Sequence, residues 1–482
     1  MSDDGGAVTV MRRAQRYPCL IAYRRAFIGL ALALAMVMTA AVTGVAAAGA
    51  ARPSIRSYTL PDAFGPPTVI TAGTDANMWV TFDTHNGIGR YTLDGVVKDF
   101  SALGPGIPHM LGITAGPDDR VWFTQENGRV EAIDRRGHVR QYPLPLRTVS
   151  GPEGIATGPD GNLWTVAVGN KIGRLTPSGR LRRFAVPGGV GGASAITAGP
   201  DGALWFLHGN AVGRITTSGQ VRMYPFRTPG PGAFGVHDAI ITGPDGNLWF
   251  GNGAEAVRLS PQGQITMFPV VASNAPNASN IAVQALAAGA DGNVWFSAAD
   301  TSSGDGSDES YGYVTPSGQV FSWVTPALSR GGMVGNNNNV EGIAPGPDGS
   351  LWFAAGGGAV AKVTPYPPRP VTAGTLSVRS GSRSLRGGRV RVNLGCVGAA
   401  GLFCQGKVSL VDHGRRTLTR GSPYFAIAAL PAPANRQLHL PVALGRSARR
   451  RLSRGSVTAR VIIKSRTGAV IASQTVTLAR RH

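Results

Sequence analysis

The chain is 482 residues long and contains 68 glycine and 34 proline residues. This length exceeds one ordinary hydrophobic core and predicts two or more domains, and the composition fits short strands joined by turns rather than disorder. The formal net charge of +21 is concentrated at the C-terminal end, because residues 371–482 contain 20 basic residues and one acidic residue, Asp412. Residues 52–370 are nearly neutral, so the C-terminal end carries the net charge of the chain.

Residues 1–51 have the pattern of an export signal. Five arginines precede an apolar run from about Ala26 to Ala48, and small residues follow it. The sequence RRAFI at residues 24–28 resembles a bacterial twin-arginine signal, and the general secretion route stays open beside it. At about 20 residues the run is also long enough to remain as a membrane anchor. We therefore expect a protein that is secreted or held at the cell envelope.

Most of the remaining chain is built from variants of the segment GPDGNLWF, found at residues 243–250. The tryptophans of successive copies are 41–46 residues apart, except for a last interval of 57 residues. The seven positions are Trp79, Trp122, Trp164, Trp205, Trp249, Trp295 and Trp352. A repeat of about 40 to 50 residues with a fixed aromatic is typical of a β-propeller blade. The sequence predicts an all-β protein with a seven-bladed β-propeller over residues 52–366.

Each repeat predicts four short strands, as residues 154–187 illustrate. A Gly-Pro-Asp-Gly turn at residues 158–161 separates the first two strands, and a second turn follows at residues 177–179. The turn aspartates are expected to be structural, and the tryptophans are expected to pack between neighbouring blades. The segment Ile55–Pro61 resembles the outer strands but precedes the first repeat. We expect it to pair into the last blade and close the ring.

Residues 367–482 do not continue the repeat, and they predict a small basic β-sandwich, of which an immunoglobulin-like arrangement is one form. The predicted strands are Val390–Leu394, Lys407–Val411, Leu438–Leu444, Val457–Ile463 and Val470–Leu478. Cys396 and Cys404 are expected to form a disulfide in an exported domain. The densest basic segment, Arg446–Arg454, predicts attachment to an acidic cell-envelope polymer or anionic lipid, with a solvated surface as the alternative. Nucleic acid is the least favoured partner, because no stacking aromatics interleave the arginines.

The segments ITAGPDGALWF at residues 196–206 and VGRITTSGQV at residues 212–221 are similar to the streptogramin lyase family, whose members are like virginiamycin B lyase. The resemblance covers Ile55–Pro365 and implies a seven-bladed propeller. It also implies Mg-dependent elimination that opens a cyclic depsipeptide at its ester. In the family, this chemistry uses His residues at the start of innermost strands and Glu residues shortly after Trp-Phe, on one face around the channel.

Those family residues are not matched here. The His positions are taken by Thr68, Leu111, Glu153, Ser194, Asp238, Gln284 and Glu341. The Glu positions are taken by Phe82, Gln125, Ala167, His208, Asn252, Ala298 and Ala355. The resemblance therefore implies the fold, whereas the lyase chemistry does not transfer by residue.

The predicted channel mouth has polar residues of its own. Glu153, Asp238 and Glu341 occupy equivalent positions and are candidate ligands for Mg or Ca. Candidate general bases near the same face are His109, His208 and His237. Candidate ligand-binding residues are Ser194, Gln284, Gln125 and Asn252. The alternative is a water-filled mouth that tolerates polar side chains of any kind.

These observations leave three functions open. The first is a propeller that binds a small molecule or peptide at its mouth. The second is a metal-dependent lyase or lactone-opening hydrolase, and the third is a cell-envelope scaffold. The chain has no Gly-rich phosphate loop and no Gly-x-Ser-x-Gly segment, which argues against nucleotide and serine-hydrolase chemistry.

Overall fold

The repeat region folds into seven four-stranded antiparallel sheets within the described part of the chain. The computed structural model describes residues 53–60, 65–82, 87–100, 110–125, 127–143, 154–167, 171–187, 193–209, 211–226, 239–270, 281–300, 310–324, 340–355, 358–364, 375–378, 383–386, 389–398, 400, 402–412, 416–421, 424–429, 436–452, 456–464 and 470–480. The predicted leader, residues 1–51, lies outside these ranges. Within these ranges we find no α-helix with the length and hydrophobicity of a transmembrane span.

The strands follow the chain, so that each sheet takes four strands from one repeat, except for the last sheet. Sheet 1 contains β2 (Pro67–Ala72), β3 (Met78–Phe82), β4 (Ile88–Tyr91) and β5 (Val97–Phe100). Sheet 2 contains β6 (Met110–Ala115), β7 (Val121–Gln125), β8 (Arg129–Ile133) and β9 (Val139–Pro143). Sheet 3 contains β10 (Ile155–Thr157), β11 (Leu163–Ala167), β12 (Lys171–Leu175) and β13 (Leu181–Ala185). Sheet 4 contains β14 (Ala193–Ala198), β15 (Leu204–His208), β16 (Ala211–Ile215) and β17 (Val221–Pro225).

The remaining three sheets of the repeat region have the same antiparallel order. Sheet 5 contains β18 (Ile240–Thr242), β19 (Leu248–Asn252), β20 (Glu255–Leu259) and β21 (Ile265–Pro269). Sheet 6 contains β22 (Ile281–Ala288), β23 (Val294–Asp300), β24 (Ser310–Val314) and β25 (Val320–Val324). Sheet 7 contains β26 (Val340–Pro345), β27 (Leu351–Ala355), β28 (Ala359–Thr364) and, as its fourth strand, β1 (Ser54–Thr59). The predicted pairing of the N-terminal segment with the last repeat is therefore observed, with Ser54 opposite Thr364 and Thr59 opposite Ala359.

The aspartate of the recurring first turn stabilises that turn in sheets 1 to 6. In sheets 1 to 6 the aspartate accepts a hydrogen bond from the indole Nε1 of the tryptophan four residues later, at 3.0 Å in the Asp160–Trp164 pair. In sheet 3 the same carboxylate pairs with Arg174 on the third strand, at 2.8 Å between Nε and Oδ2. The turn begins with glycine because a Cβ at Gly158 would lie 2.6 Å from Trp164. The expectation that these aspartates are structural is thus met in the described turns.

The sheets pack face to face through their second strands and tryptophans. Every residue of β3, β7, β15 and β27 is buried, because neighbouring sheets cover both faces of these strands. Trp164 packs with Ile196 and Phe206 of the next sheet, as predicted for a residue between blades. The first strands contact one another in sequence from β2 to β26, and β26 in turn contacts β2.

The C-terminal region forms one connected network of eight strands. Its strands are β29 (Thr375–Val378), β30 (Arg383–Arg386), β31 (Arg389–Val397), β32 (Phe403–Val411), β33 (Tyr424–Ala428), β34 (Arg436–Ala443), β35 (Val457–Lys464) and β36 (Val470–Arg480). One half of the network contains β29, β31 and β34, and the other contains β36, β35, β32 and β33. The strand β30 pairs with both β31 and β36 and so joins the two halves. A helix, α1 (Arg446–Leu452), covers one end of the core. The five predicted strands are all present, and the two-sheet sandwich stays a prediction.

The predicted disulfide is present and lies inside the core of this region. Cys396 near the end of β31 is bonded to Cys404 at the start of β32, with 5.8 Å between their Cα atoms. Both residues are buried beside Leu394 and Phe425. The bond therefore ties together two strands that belong to different halves of the network.

The C-terminal region contacts the turns between the first and second strands of neighbouring sheets, and these turns and the C-terminal region belong to one compact unit, Arg52–His482. The backbone N–H of Ala426 donates to the carbonyl of Thr74 at 2.7 Å, and that of His439 donates to the carbonyl of Pro117 at 2.5 Å. Side-chain amides add two further bonds, Gln437 to the carbonyl of Pro159 and Gln405 to the carbonyl of Pro347. The turns of sheets 7, 1, 2 and 3 thus carry the C-terminal region.

Candidate functional site

The first strands have a β-bulge close to their start, at the positions that the sequence aligned with the family histidines. The pairing with the second strand shifts between Pro67 and Ile70 in sheet 1, and between Val283 and Ala285 in sheet 6. Equivalent shifts occur in sheets 2, 4 and 7. The aligned residues at or within these bulges are Thr68, Leu111, Ser194, Gln284 and Glu341. These positions are structurally equivalent, because the same irregularity occurs at the start of the first strand in five sheets. Bulges change the direction of side chains and are common beside active sites.

In sheet 1 the bulge is fixed by the second strand. The hydroxyls of Thr68 and Thr81 are 2.7 Å apart, and the N–H of Val69 donates to the Thr81 hydroxyl at 3.2 Å. Thr81 is fully buried. The bulge interrupts the hydrogen bonds between the two strands, and the Thr81 hydroxyl accepts from the backbone N–H of Val69 in their place. Thr68, whose hydroxyl is bonded to that of Thr81, therefore has a structural role.

The positions aligned with the family glutamates lie at the ends of the second strands. Gln125 is opposite Met110, and His208 is opposite Ala193, directly beside the bulges. In sheets 1, 2, 4, 6 and 7, where both positions are described, the two aligned sets therefore lie at the same edge of the sheet. This edge is opposite to the turns that carry the C-terminal region.

His208 is the one candidate base within the described residues. It is only 4% exposed, and burial, which is the largest influence, lowers its pKa below the ordinary histidine value. A neutral imidazole at neutral pH can accept a proton, which is what a general base must do. Ser194 lies one residue from the partner of His208 in the pairing.

The candidate ligand-binding residues differ in exposure. Gln125 is 0% exposed and neither atom of its amide has a hydrogen-bond partner among the described residues. Gln284 is buried, whereas Ser194 and Asn252 are half-buried. The Asn252 amide lies 3.4 Å from a carboxylate oxygen of Glu255. Ser194 and Asn252 are thus the two members of this set that retain partial access to solvent.

Several predicted site residues fall outside the described part of the chain. These are His109, His237, Glu153 and Asp238, and for Glu341 only the backbone is described. Among the described residues no group of three or more His, Cys, Asp and Glu side chains is arranged to hold a metal ion. The Mg or Ca site, whose three candidate ligands are in this set, stays a prediction.

A cavity of about 270 Å³ lies where the first strands meet the C-terminal region. Its walls are mostly apolar and include Ile70, Ile113 and Ile196 from three first strands. Its other side is formed by β32, β33 and β34, with Phe403 and Ala426 among the lining residues. The sequence does not predict that β32, β33 and β34 close this side of the cavity, because no local pattern in the C-terminal region indicates what its strands contact.

Comparison with known proteins places the chain among lyase-like propellers. A family model, described as the virginiamycin B lyase family, matches residues 53–363. The chain is similar to a streptogramin B lyase structure, with 26% identity over 65% of this chain and 97% of that chain and a TM-score of 0.54. It is also similar to virginiamycin B lyase from Staphylococcus aureus, with 29% identity over 64% of this chain and 99% of that chain and a TM-score of 0.55. No curated protein sequence matches the chain.

A third similar structure is a catalytically inactive form of the Staphylococcus aureus enzyme with quinupristin, at 28% identity and a TM-score of 0.55 over 64% of this chain and 99% of that chain. The fold and these similarities define an all-β protein of the β-propeller class. Because the family model covers more than half of the sequence, the chain belongs to the virginiamycin B lyase family.

Proposed function

We propose that this chain is an exported seven-bladed propeller that binds a small molecule or peptide at the channel mouth. The observation that carries the proposal is the cavity between the first strands and the C-terminal region. Because β32, β33 and β34 occupy the turn side, a ligand would enter from the opposite edge, where the bulged positions lie. That edge is also where the family resemblance aligns the reactive residues.

The blade count and the closure of the ring rest on two sets of contacts. Seven sheets of four strands follow one another, and their first strands contact each other from β2 to β26 and back to β2. The N-terminal strand β1 supplies the fourth strand of the last sheet. The export signal at residues 1–51 and the sandwich form of the C-terminal region complete the proposed architecture.

The expected ligand has a polar part and an apolar part. Ser194 and Asn252 offer a hydroxyl and an amide at the mouth, whereas the cavity below them is lined by isoleucine side chains. Such a combination suits an amphipathic small molecule or a short peptide with apolar side chains. The basic C-terminal region would hold the protein to an acidic cell-envelope polymer while the mouth stays open.

The metal prediction can be tested directly by calorimetry. We would titrate Mg and Ca into residues 52–482 and into a variant that combines Glu153→Gln, Asp238→Asn and Glu341→Gln. A control with equal charge loss combines Asp94→Asn, Asp134→Asn and Asp412→Asn. Binding that the first variant loses and the control keeps would support a metal at the mouth. Equal binding by all three proteins would contradict it.

The second candidate function is a metal-dependent lyase or lactone-opening enzyme, and membership of the virginiamycin B lyase family favours it. The test is a turnover screen of cyclic esters and lactones with Mg or Ca, using His208→Gln as the matched variant. Turnover that falls at least tenfold in that variant would support an enzyme with His208 as base. Ligand binding without turnover in any arm would leave the binding protein as the better description.

A further inference from the structure

A second cleft is much larger than the cavity between the first strands and the C-terminal region, here called the axial cavity, and it lies on the turn side of the sheets, away from the channel mouth. It has a volume of about 1160 Å³ and is bounded by the turns of sheets 2 and 3 on one side. The other side is formed by β31, β34 and the segment around Arg420. Seven arginines, four aspartates and His439 are among its lining residues.

Three of the four aspartates of this cleft pair with arginines, and the fourth, Asp134, pairs with a histidine. Asp118 pairs with Arg120, Asp119 with Arg135, Asp134 with His138 and Asp160 with Arg174, with separations of 2.5–3.5 Å. The first two of these arginines also line the cleft. Asp134 is the one aspartate of the cleft without an arginine partner among the described residues, so the arginines outnumber the acidic groups and the net charge of the cleft is positive.

Five arginines of the cleft have no carboxylate partner among the described residues. They are Arg136, Arg140, Arg389, Arg391 and Arg420. The first two come from sheet 2, where Arg140 lies over the ring of Tyr142 at 5.0 Å. The other three come from the C-terminal region, so positive charge faces the cleft from both sides.

The three C-terminal arginines are held close together by the backbone. Arg389 and Arg391 are exposed and alternate along β31 with the buried residues Val390 and Val392. Arg389 is opposite Ala443 in the β31–β34 pairing, and the N–H of Arg420 donates to the carbonyl of Ala443 at 2.8 Å. The three arginines thus line the same wall of the cleft, two from β31 and one from the segment that is hydrogen-bonded to the end of β34.

We propose that this cleft binds a phosphate-rich polyanion. A guanidinium fork matches phosphate oxygens in a bidentate manner, and a cleft with a net positive charge attracts anions. Phosphate presents its oxygens in several directions and can be bridged by arginines from two walls, whereas a carboxylate offers its oxygens in one plane. The proposal rests on the attachment role given above to the basic region and is independent of the ligand at the mouth.

The test measures binding of a short glycerol-phosphate oligomer to residues 52–482 by calorimetry, with an oligoglutamate of equal charge as comparison. The cleft variant combines Arg389→Gln, Arg391→Gln and Arg420→Gln. The matched control combines Arg446→Gln, Arg449→Gln and Arg450→Gln on α1, which removes the same charge from the densest basic segment. We expect the dissociation constant to rise at least about tenfold in the cleft variant and less than about threefold in the control.

The outcomes separate the cleft from the general attachment role. Equal losses in both variants, or a loss confined to the control, would overturn the cleft while leaving attachment through the basic region in place. No binding by the unmodified protein, or equal binding of the oligoglutamate, would overturn the phosphate assignment. Should the cleft variant fail to fold, modification of arginines by phenylglyoxal gives a second readout. The oligomer should then protect Arg389, Arg391 and Arg420, and absence of protection would overturn the proposal.

Discussion

The residue at the centre of the third strand differs between sheets, and in sheet 2 it is a buried glutamate. Four sheets have glycine there, and a Cβ at Gly89 in sheet 1 would lie 2.9 Å from Phe82. Sheet 2 instead has Glu131, which is 0% exposed and lies opposite Phe123. Neither carboxylate oxygen has a hydrogen-bond partner of good geometry among the described residues. Burial is the largest influence and raises the pKa of Glu131, while nearby Gln141 and Arg129 oppose it.

Replacing this buried acid should therefore stabilise the protein in a pH-dependent way. Because the folded-state pKa of Glu131 exceeds its unfolded value, the folded protein loses stability as the pH rises through the folded pKa. At pH 7 we expect Glu131→Gln to raise the free energy of unfolding by about 1 kcal/mol or more. The difference should shrink on acidification and vanish below about pH 4, where the glutamate is protonated in both states. Denaturant unfolding at several pH values measures it.

The control for this experiment is Asp94→Asn, which removes a carboxylate from an exposed turn. We expect its effect to stay within about 0.5 kcal/mol at every pH. A Glu131→Gln difference that does not change with pH would show that the carboxylate charge is not the source of the instability.

The role of a residue could be predicted from the sequence where it depends on a few neighbouring residues in the chain. It could not be predicted where it depends on contact with a neighbouring sheet. The structural role of the turn aspartates is predictable because Gly-Pro-Asp-Gly is a turn signal within four residues. The sequence does contain a signal for Glu131, because it interrupts the recurring Ile-Gly-Arg element. Its burial, and that of Gln125, depends on how closely sheet 1 approaches sheet 2, which the pattern along one strand does not fix.

At the scale of elements, the short strand β1 completes the last sheet and is expected to make a large contribution to stability. It covers the edge of β28, and Tyr58 stacks on Trp352 with ring centroids 5.5 Å apart. Removing residues 52–60 should expose that edge and lower the free energy of unfolding by about 3 kcal/mol or more, from lost packing and ladder bonds. Thermal unfolding and aggregation of residues 61–482 compared with residues 52–482 measure the effect.

Adding the missing strand in trans provides the control. A synthetic peptide of residues 52–60 should restore stability to the shortened protein by strand addition, and a scrambled peptide should not. Undiminished stability of the shortened protein would contradict a closing role for β1. The closing strand could be predicted because it matches the outer-strand pattern, whereas the bulges could not, since a bulge depends on the pairing of two strands.

At the scale of the whole molecule, the seating of the C-terminal region could not be predicted from the sequence. Its bonds go to turn carbonyls, which every residue has, so they leave no sequence pattern. One feature of the sequence does correlate with the position of the C-terminal region: sheets 1 and 2 have Ala76 and Asp119 where the corresponding turns of the other sheets have glycine. Both residues have positive φ, 60° and 67°, and both lie where the C-terminal region sits. Such backbone persists only where surrounding structure holds it.

Ala426 offers a way to separate the two regions without disturbing either core. It is buried against Ala76 and Phe403, whereas its neighbours Phe425 and Ile427 point into the core of the C-terminal region. Ala426→Asp places a charge in this apolar contact, which should weaken the contact by about 2–4 kcal/mol. We expect calorimetry to show an additional transition at lower temperature and small-angle scattering to give a larger radius of gyration. Thr475→Asp, on the exposed face of β36, should change neither. If both variants behave alike, the apolar contact around Ala426 does not hold the two regions together.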